Sequence, residues 1–336
     1  MTIDVWLAAG LAFLVSITLT PLLRRWLLAR GIMDAPGERR SHQRSTARGG
    51  GLAMLAAFIG GLSMAAGGRP EVLPLLAFAI VLAGLGWLDD RRDLSIGIRL
   101  FAMLLFALAF LIYSGPVREV SLLGQALEWP WLWSALAVVA AVWLINLHNF
   151  MDGSDGLAAM QGAWSAGLLG WLLYGRELVP AGLAGLALAG ACLGFLWWNR
   201  PPAKLFMGDV GSVLLGGMIA LLALVGASSG AVSIWVSLII CSVFVVDATA
   251  TLLRRAASGV RWYNPHREHA YQRLIIAGWS HGQVLLFYGA LNLLLVLPTL
   301  IVALRSPALD WLMATLLTLL LVAGWIALQR QTRKGE

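Results

Sequence analysis

Long apolar runs separated by short polar segments dominate this chain. Eleven runs have about the length of 20 residues that a helix needs to cross a hydrocarbon core of roughly 30 Å. The runs are continuously apolar and lack the alternation of a transmembrane β-barrel, so the pattern predicts helices. The predicted spans are Val5–Leu23, Gly49–Ala66, Val72–Leu88, Ile98–Tyr113, Trp131–Leu147, Gly156–Tyr174, Val179–Trp198, Val210–Ala227, Ala231–Leu253, Val284–Leu304 and Leu309–Leu328.

The composition agrees with a membrane protein. Of 336 residues, 60% are hydrophobic and 12% are charged, and the mean hydropathy is +0.81. Soluble domains average about 25% charged residues, and so few charges leave too little polar surface to coat a water-soluble globule. Cys192 and Cys241 both lie in apolar runs, which argues against a disulfide framework. We therefore expect an all-α polytopic membrane protein with a single domain over residues 1–336.

The positive charges predict an orientation. Four alternate connections and the tail after residue 328 hold 20 of the 24 Lys and Arg residues. Because these residues concentrate in cytoplasmic loops, we expect a periplasmic N-terminus and a cytoplasmic C-terminus. The net charge of +7 then reflects membrane orientation, and we expect no nucleic-acid partner. Most acidic residues lie on the same side, so we expect the chemistry in the cytoplasmic loops 24–48, 89–99, 146–156, 199–212 and 254–283.

Two adjacent carboxylates, Asp89 and Asp90, close the third predicted span. Adjacent carboxylates repel each other, and the C-terminal end of a helix disfavours negative charge. A divalent cation or the neighbouring Arg91 and Arg92 would offset this charge. The pair therefore indicates either a metal-assisted site or a solvated loop neutralised by arginine.

A run of amide and carboxylate residues follows the fifth predicted span. Asn146, Asn149, Asp152 and Asp155 recur every three residues, so we expect one helical face to carry all four. Their oxygens suit Mg²⁺, which takes one or two carboxylates together with substrate phosphates. A polar turn without a ligand is the alternative. We expect His148, inside this run, to be a loop or interfacial side chain rather than a ligand.

A third polar segment, 199–212, leads into the eighth predicted span. Asp209 lies between Gly208 and Gly211 at the start of that span, where the backbone N–H groups of a helix attract anions. A carboxylate there that also binds a metal ion would bring cation and phosphate together. Phe206 offers a flat aromatic face three residues earlier, and an ordinary interfacial aromatic is the alternative.

Basic side chains fill the last predicted cytoplasmic loop. Guanidinium groups bind phosphate oxygens in a fork, so we expect a diphosphate clamp, with a contact to anionic lipid headgroups as the alternative. Asp247, inside the ninth predicted span, is either a functional carboxylate or an ion-pair partner of Arg254 or Arg255. The expected clamp residues are His266, Arg267, His269 and Arg273.

These motifs together suit the transfer of a phosphate-linked group, because a metal ion offsets the charge of a diphosphate. They also resemble the motifs of the polyprenyl-phosphate N-acetylhexosamine-1-phosphate transferases (glycosyltransferase family 4). That family starts O-antigen, common-antigen and teichoic-acid chains and is related to phospho-N-acetylmuramoyl-pentapeptide transferase. The resemblance rests on Leu88-Asp-Asp, Asn146-x-x-Asn-x-x-Asp-Gly-x-Asp-Gly156, Phe206-Met-Gly-Asp-x-Gly-Ser212 and the His/Arg segment 266–273, in the family's order.

The resemblance implies a reaction and a set of roles. Undecaprenyl phosphate would attack the β-phosphorus of a UDP-N-acetylhexosamine, with Mg²⁺ or Mn²⁺, giving undecaprenyl-diphospho-sugar and UMP. Asp89 and Asp90 would be the catalytic pair. Asp209 and Asn149 would bind the metal ion. The residues implied for substrate binding are Asp152, Asp155, Phe206, Asn146, Arg267, His269, His266 and Arg48.

Within that set the resemblance assigns parts of the substrate. Asp155 and Phe206 would contact uracil, whereas Arg267 and His269 would grip the diphosphate. The implied place is the bacterial inner membrane, with the active site on the cytoplasmic side. The implied partners are the nucleotide sugar, the lipid phosphate and the bilayer, and a homodimer is left open.

One segment departs from the family pattern. Ala270-Tyr271-Gln272 follows His269, where several relatives carry further histidines. This segment and the first cytoplasmic loop are most similar to the O-antigen-initiating subgroup, whose donors include UDP-N-acetylfucosamine and UDP-N-acetylquinovosamine. UDP-N-acetylglucosamine and UDP-N-acetylgalactosamine stay open, and the muramoyl-pentapeptide branch is disfavoured because its consecutive histidines are absent. The sequence identifies neither the pathway nor the oligomeric state.

Two other classes of membrane protein are alternatives. A transporter of nucleotide sugars or lipid-linked sugars would place polar groups near the membrane midplane, often within internal repeats, and neither feature is evident. A CDP-alcohol phosphotransferase would carry further aspartates on the helix 156–174, which contains no acid. Direct attack and an aspartyl-phosphate intermediate are both open, and we favour direct attack because a lipid phosphate is already anionic.

Overall fold

The computed structural model describes residues 3–34, 46–260 and 266–333. Thirteen α-helices and two small antiparallel sheets lie in these residues. The helices are α1 Ile3–Ala29, α2 Gly51–Ala66, α3 Leu73–Arg92, α4 Ile96–Ser114, α5 Pro130–Met151, α6 Leu157–Gly175, α7 Val179–Asn199, α8 Gly208–Ser228, α9 Ile234–Ala257, α10 Ala270–Ile276, α11 His281–Leu291, α12 Leu297–Arg305 and α13 Asp310–Arg333. The strands are β1 Met33–Asp34, β2 Thr46–Ala47, β3 Val120–Leu122 and β4 Gln125–Leu127.

The all-α polytopic architecture is confirmed, because each of the eleven predicted spans contains a helix. In the described part of the chain, nine helical segments are long and apolar enough to cross a membrane. The two remaining spans are α2, which has 16 residues, and α6, which has 19. A π-helical turn over Asn292–Val296 joins α11 to α12 inside one predicted span.

Two local features were not expected from the sequence. The strands β3 and β4 form a hairpin between α4 and α5, with Val120 opposite Leu127. The short helix α10 lies inside the last polar loop. Both elements are too short to give a periodic apolar pattern, so the span analysis could not find them.

Three helices form the centre of the bundle. Most residues of α7, α8 and α9 are buried, whereas α4 and α13 expose most of their apolar surface. The helices approach closely where both carry small residues: a Cβ at Gly170 of α6 would collide with the backbone of Gly185 in α7. In a membrane the hydrophobic effect does not drive helices together. Small residues at helix contacts let the backbones approach closely, and the resulting van der Waals packing stabilises the bundle.

The charged connections meet at one end of this bundle, which we call the polar end. Arg24 of α1 donates to the carbonyl of Lys204 there, and Gln329 of α13 donates to the carbonyl of Glu268. The first residues of α1 lie at the opposite end, where Asp4 and Arg69 form an ion pair of 3.7 Å. The described termini thus lie at opposite ends of the bundle, in agreement with eleven crossings.

Candidate active site

The first polar connection is held against the start of α8 by backbone contacts. The N–H of Phe206 donates to the carbonyl of Ala47 (2.9 Å), and the N–H of Gly50 donates to the carbonyl of Phe206 (2.8 Å). Gly51 then packs so closely on Gly211 that a Cβ would collide with the backbone there. Glycine is required for this approach. The contact brings the segment 46–51 beside the N-terminus of α8.

Arg48 lies between two carboxylates as a result. Its Nη2 is 2.7 Å from Oδ1 of Asp90 and 2.8 Å from Oδ1 of Asp209. Burial alone would lower the pKa of Arg48, but the nearby Asp209, Asp90 and Asp152 raise it. The guanidinium is therefore charged and links three segments that are far apart in sequence.

Asp90 caps the N-terminus of α8. Its Oδ1 accepts from the N–H of Asp209 (3.1 Å) and its Oδ2 from the N–H of Val210 (3.2 Å). The end of α3 can approach so closely because Gly86 packs on the backbone of Asp209, where a Cβ would collide. The positive end of a helix dipole stabilises a carboxylate, so α8 and Arg48 together offset the charge of Asp90.

Asp89 faces a different neighbour. Its Oδ2 lies 3.1 Å from Nη1 of Arg99 on α4, and its Oδ1 accepts from the N–H of Leu94 (3.0 Å). Successive residues on a helix do not share a face, so the two adjacent carboxylates enter separate environments. The sequence offered Arg91 and Arg92 as one alternative for neutralising the pair, whereas the structure pairs Asp89 with Arg99. Arg91 instead lies over the ring of Trp87, with 4.4 Å between Cζ and the ring centroid.

The four residues spaced by three do not share one helical face. Helix α5 ends at Met151, so Asp152 and Asp155 lie beyond the regular helix and the expectation was wrong for them. Asn149 donates to Oγ of Ser212 on α8 (3.2 Å), and its side chain lies close enough to the carboxylate of Asp209 to favour the charged form of that group. This places the amide of Asn149 beside the carboxylate that we expect to bind a metal ion.

Asn146 lies one turn deeper and faces α4. Its Nδ2 donates to the carbonyl of Val142 (2.9 Å) and to Sδ of Met103 (3.1 Å). His148 is buried inside α5, with Nδ1 2.8 Å from the carbonyl of Leu144. The expected loop position of His148 is therefore wrong, and its ring packs against Phe244.

Asp152 completes a cluster of carboxylates around Arg48. Burial raises the pKa of Asp152 well above its usual value; Arg48 opposes this shift, and Asp209 and Asp90 add to it. The pKa is raised because burial and the neighbouring negative charges both disfavour the ionised form of Asp152. Three carboxyl groups thus surround the single guanidinium of Arg48, and the raised pKa favours the protonated form of Asp152 while no cation is bound.

Asp155 joins this region to the connection before α8. Its Oδ2 accepts from the N–H of Ala203 (2.9 Å), and its own N–H donates to Nδ1 of His281 (3.2 Å). Asn199 supports the same turn, because its Oδ1 accepts from the N–H of Gly156 (3.0 Å). Asp155, whose carboxylate was expected to contact uracil, therefore stabilises the turn before α6 and the connection before α8.

The basic loop before α10 is organised by acids. Glu268 forms ion pairs with Arg254 and Arg255, whereas Asp247 accepts from the N–H groups of Ala270 (2.7 Å) and Tyr271 (3.4 Å). Pairing of Asp247 with Arg254 or Arg255 was one of two alternatives from the sequence, and the contacts that the structure describes for Asp247 instead include the first turn of α10.

The two histidines of this loop are uncharged at neutral pH. Burial lowers the pKa of His266 to about 4, and the neighbouring His269 and the positive charge of Arg255 add to this effect. Burial also lowers the pKa of His269, although Asp247 opposes the shift. The cationic part of any diphosphate clamp in this loop therefore comes from its arginines, and the histidines would act as neutral hydrogen-bonding groups.

The donor chemistry of the cluster fits a hard divalent cation. Asp90, Asp152 and Asp209 contribute carboxylates and Asn149 an amide, in excess of the charge of Arg48. Among the residues that the structure describes, no group of three His, Cys, Asp or Glu side chains is arranged to bind one ion. Mg²⁺ is commonly held by one or two carboxylates, with waters and substrate phosphates completing its shell. The donor set matches that pattern.

Some sequence-predicted residues converge and others diverge. Those in direct contact or close electrostatic contact are Arg48, Asp90, Asn149, Asp152 and Asp209, with Phe206 adjacent through its backbone. Those bound to other neighbours are Asp89, Asn146 and Asp155. Sequence reasoning missed the parts of Arg99 and His281. Arg99 lies ten residues after Asp89, and His281 follows the N-cap residue Ser280 of α11. Neither position belongs to a recurring sequence spacing that would have indicated a role in the site.

Comparison with known proteins finds relatives that match most of the chain. The model for glycosyl transferase family 4 matches residues 72–227, which include the carboxylates of α3, the end of α5 and the start of α8. The chain is 32% identical over 293 residues to the probable undecaprenyl-phosphate N-acetylglucosaminyl 1-phosphate transferase of Bacillus subtilis, covering 82% of this chain and 80% of the relative. It is 31% identical over 346 residues to the phospho-N-acetylmuramoyl-pentapeptide-transferase of Mycolicibacterium smegmatis, covering 85% and 93%. The corresponding transferase of Synechococcus elongatus is 32% identical over 319 residues, covering 86% and 85%.

Proposed function

Because the chain belongs to glycosyl transferase family 4, the polyprenyl-phosphate N-acetylhexosamine-1-phosphate transferases, we propose that it transfers N-acetylhexosamine-1-phosphate from a UDP-sugar to undecaprenyl phosphate. An oxygen of the lipid phosphate forms a bond to the β-phosphorus. The bond from that phosphorus to the bridging oxygen breaks, and the electron pair leaves with UMP. The proposed place is the bacterial inner membrane, with the polar end in the cytoplasm, at the start of O-antigen synthesis.

One observation carries this proposal. Arg48 links Asp90 to Asp209 at the N-terminus of α8, with Asp152 close by. A guanidinium attracts phosphate oxygens, and the positive end of a helix dipole favours negative charge, although the N–H groups of Asp209 and Val210 themselves donate to Asp90. The guanidinium and the helix end lie here beside carboxylates that suit a divalent cation. Attack of one anionic phosphate on another needs this combination, because the repulsion between the two must be offset before they can approach.

Each residue then has a proposed role. Arg48 binds a phosphate oxygen of the substrate, and Asp90 orients the lipid phosphate and accepts its proton where one is present. Asp209 and Asn149 would hold Mg²⁺, which when bound offsets the negative charge of the diphosphate. Phe206 stacks on uracil, with Asp155 keeping the adjacent turn in place. Asp89 remains part of the proposed catalytic pair, acting next to Asp90 while its own contact is to Arg99.

The basic loop supplies the remaining charge. Arg267 binds the diphosphate, with His266 and His269 as neutral donors or acceptors. Positioning of two bound phosphates lowers the entropic barrier to their reaction. The protein contributes this positioning from connections that meet at one end of a single bundle, so we propose residues 1–336 as one transferase domain.

The test is release of UMP by purified protein in detergent with undecaprenyl phosphate and Mg²⁺. The N-acetylglucosamine, N-acetylgalactosamine, N-acetylfucosamine and N-acetylquinovosamine derivatives of UDP are compared as donors, together with UDP-N-acetylmuramoyl-pentapeptide. We expect release with one N-acetylhexosamine donor, dependent on the lipid and lost with EDTA. Release with the pentapeptide donor alone would move the protein to the peptidoglycan branch. No release and no nucleotide binding by folded protein would refute the proposal.

A further inference from the structure

Helix α10 is attached to the rest of the protein at its first turn. Asp247 of α9, which is only 4% exposed, accepts from the N–H groups of Ala270 (2.7 Å) and Tyr271 (3.4 Å). The hydroxyl of Tyr288 on α11 donates to the same carboxylate at 2.6 Å. A carboxylate that accepts several hydrogen bonds at a helix N-terminus is strongly held. The start of α10 therefore has a fixed position relative to α9 and α11.

Tyr271 connects this helix to the end of α5. Its hydroxyl donates to the carbonyl of Phe150 (3.0 Å), and the side chain is 1% exposed. The phenol also fills the space next to Gly153, where a Cβ would collide with the hydroxyl. The connection thus reaches the turn that carries Asn149 and Asp152.

The same phenol supports the basic loop. The rings of Tyr271 and His269 are stacked, with 5.9 Å between centroids and an angle of 11°. The ring of His269 is also stacked on Phe150, at 6.3 Å and 25°. His269 is therefore held between α5 and α10, and Arg267 precedes it by two residues. A change in the position of Tyr271 would therefore act on His269 through the ring contact, and on Arg267 through the short chain segment between the two residues.

We propose that Tyr271 is a positioning residue that fixes the basic loop 266–269 relative to the carboxylate cluster, through its hydrogen bond to Phe150 and its packing on Gly153. The proposal rests on the proposed function, because it assigns the diphosphate to Arg267 and His269. Tyr271 occurs where the sequence departs from the histidine-rich pattern. The phenol of Tyr271 thus joins α10 to α5 and supports binding of the diphosphate without contacting the substrate itself.

The experiment replaces Tyr271 by Phe, which removes the hydroxyl and keeps the ring. Loss of one hydrogen bond corresponds to about a fivefold change in an equilibrium constant. We therefore expect KM for the UDP-sugar to rise about fivefold while kcat stays within twofold. We expect affinity for UDP to fall by the same factor and affinity for UMP to stay unchanged, because only UDP carries the second phosphate. Tyr113→Phe, at the opposite end of the bundle, is the matched control and should change none of these values.

A second substitution tests the same contact from the other side. Gly153→Ala occupies the space of the Tyr271 hydroxyl and should reproduce the rise in KM without altering the tyrosine. A lower melting temperature in both variants with unchanged KM and UDP affinity would overturn the proposal, because Tyr271 would then serve stability alone. A loss of UMP affinity equal to that of UDP would also overturn it.

A double-mutant cycle separates this inference from the proposed function. If Tyr271 acts through the basic loop, Tyr271→Phe should have little further effect on UDP affinity in an Arg267→Ala background. Independent, additive losses would overturn the inference and leave the proposed function standing. If Arg267→Ala alone leaves UDP affinity unchanged, the diphosphate assignment in the proposed function fails, and the inference fails with it.

Discussion

The guanidinium of Arg48 and the carboxylate of Asp209 lie 2.8 Å apart although 161 positions separate them in the chain. The contact joins the connection before α2 to the start of α8. It depends on glycines at both places, because side chains would keep the two backbones apart. The pair is the part of the site on which most of the proposed chemistry depends.

Arg48→Ala should lower kcat/KM by about 100-fold, because it removes the cation that we propose binds a phosphate oxygen of the substrate. Arg48→Lys should recover part of this loss, because it keeps the charge and loses the planar fork. Steady-state UMP release measures both. Equal activity of the lysine variant and wild type would show that charge alone suffices and that the bridge between Asp90 and Asp209 is dispensable.

Asp209→Asn should reduce turnover by orders of magnitude while leaving the protein folded, because the change keeps the size of the side chain and removes its charge. UMP release is measured over a range of Mg²⁺ concentrations, with the melting temperature recorded in parallel. Asp4→Asn, in the ion pair at the opposite end of the bundle, is the control. Wild-type turnover of Asp209→Asn at saturating Mg²⁺ would remove this residue from the metal site.

Asp89 and Asp90 should differ when each is replaced by Asn. Asp90→Asn should lower kcat by at least about 100-fold and should cost less stability than Asp89→Asn, because Asn can still accept from the N-terminus of α8 and Arg48 keeps its contact to Asp209. Asp89→Asn should lower activity and should also lower stability by about 2–3 kcal/mol, because it leaves Arg99 without its carboxylate.

Arg99→Gln distinguishes the two roles open to Asp89. This change breaks the same ion pair and leaves the carboxylate of Asp89 in place. We expect Arg99→Gln to retain more activity than Asp89→Asn at a comparable melting temperature. Identical losses in activity would mean that Asp89 serves only to hold α4 against α3.

Phe206→Ala should weaken UMP binding about tenfold, because stacking of a base on an aromatic ring is worth about 1–3 kcal/mol. The backbone contacts of this residue to Ala47 and Gly50 do not depend on the ring, so the cluster around Arg48 should persist. Nucleotide titration and KM for the lipid phosphate are measured together. Similar losses for nucleotide and lipid would contradict the stacking assignment.

The predicted orientation is open to a labelling test. Ser229 and Ser258 are both exposed and lie at opposite ends of the bundle. Cys192 and Cys241 are buried, so they should contribute little background. Ser229→Cys should react with an impermeant maleimide in intact cells, whereas Ser258→Cys should react only after permeabilisation. The reverse pattern would invert the membrane orientation and place the carboxylate cluster outside.

The sequence predicted the helical bundle well because each span depends on local composition. A run of about 20 apolar residues in a bilayer must satisfy its backbone hydrogen bonds internally, and a helix does so without help from the rest of the chain. The helix from Pro130 to Met151 and the predicted span Trp131–Leu147 agree for this reason. The hairpin Val120–Leu127 and helix α10 were not predicted, because both depend on contacts with neighbouring segments.

The structure brings together Arg48, Asp90, Asp152 and Asp209 among the residues that the sequence predicted for the site, but it places others differently from the expected geometry. Regular spacing suggested that Asn146 and Asp155 share a face with Asn149, but the helix ends before Asp155. Adjacency suggested that Asp89 and Asp90 act on the same groups, but the helical rotation between them turns one towards α4 and the other towards α8.

The sequence by itself determined that this protein is an all-α membrane protein with many apolar helices, and it predicted which polar segments carry the chemistry that we propose. These properties follow from length, hydropathy and residue type, all of which act locally. Only the tertiary structure decided that Arg48 lies between Asp90 and Asp209, that Asp247 holds α10, and that Tyr271 reaches α5. Such contacts depend on the close approach of backbones at glycine, and on helix ends that meet from distant parts of the chain.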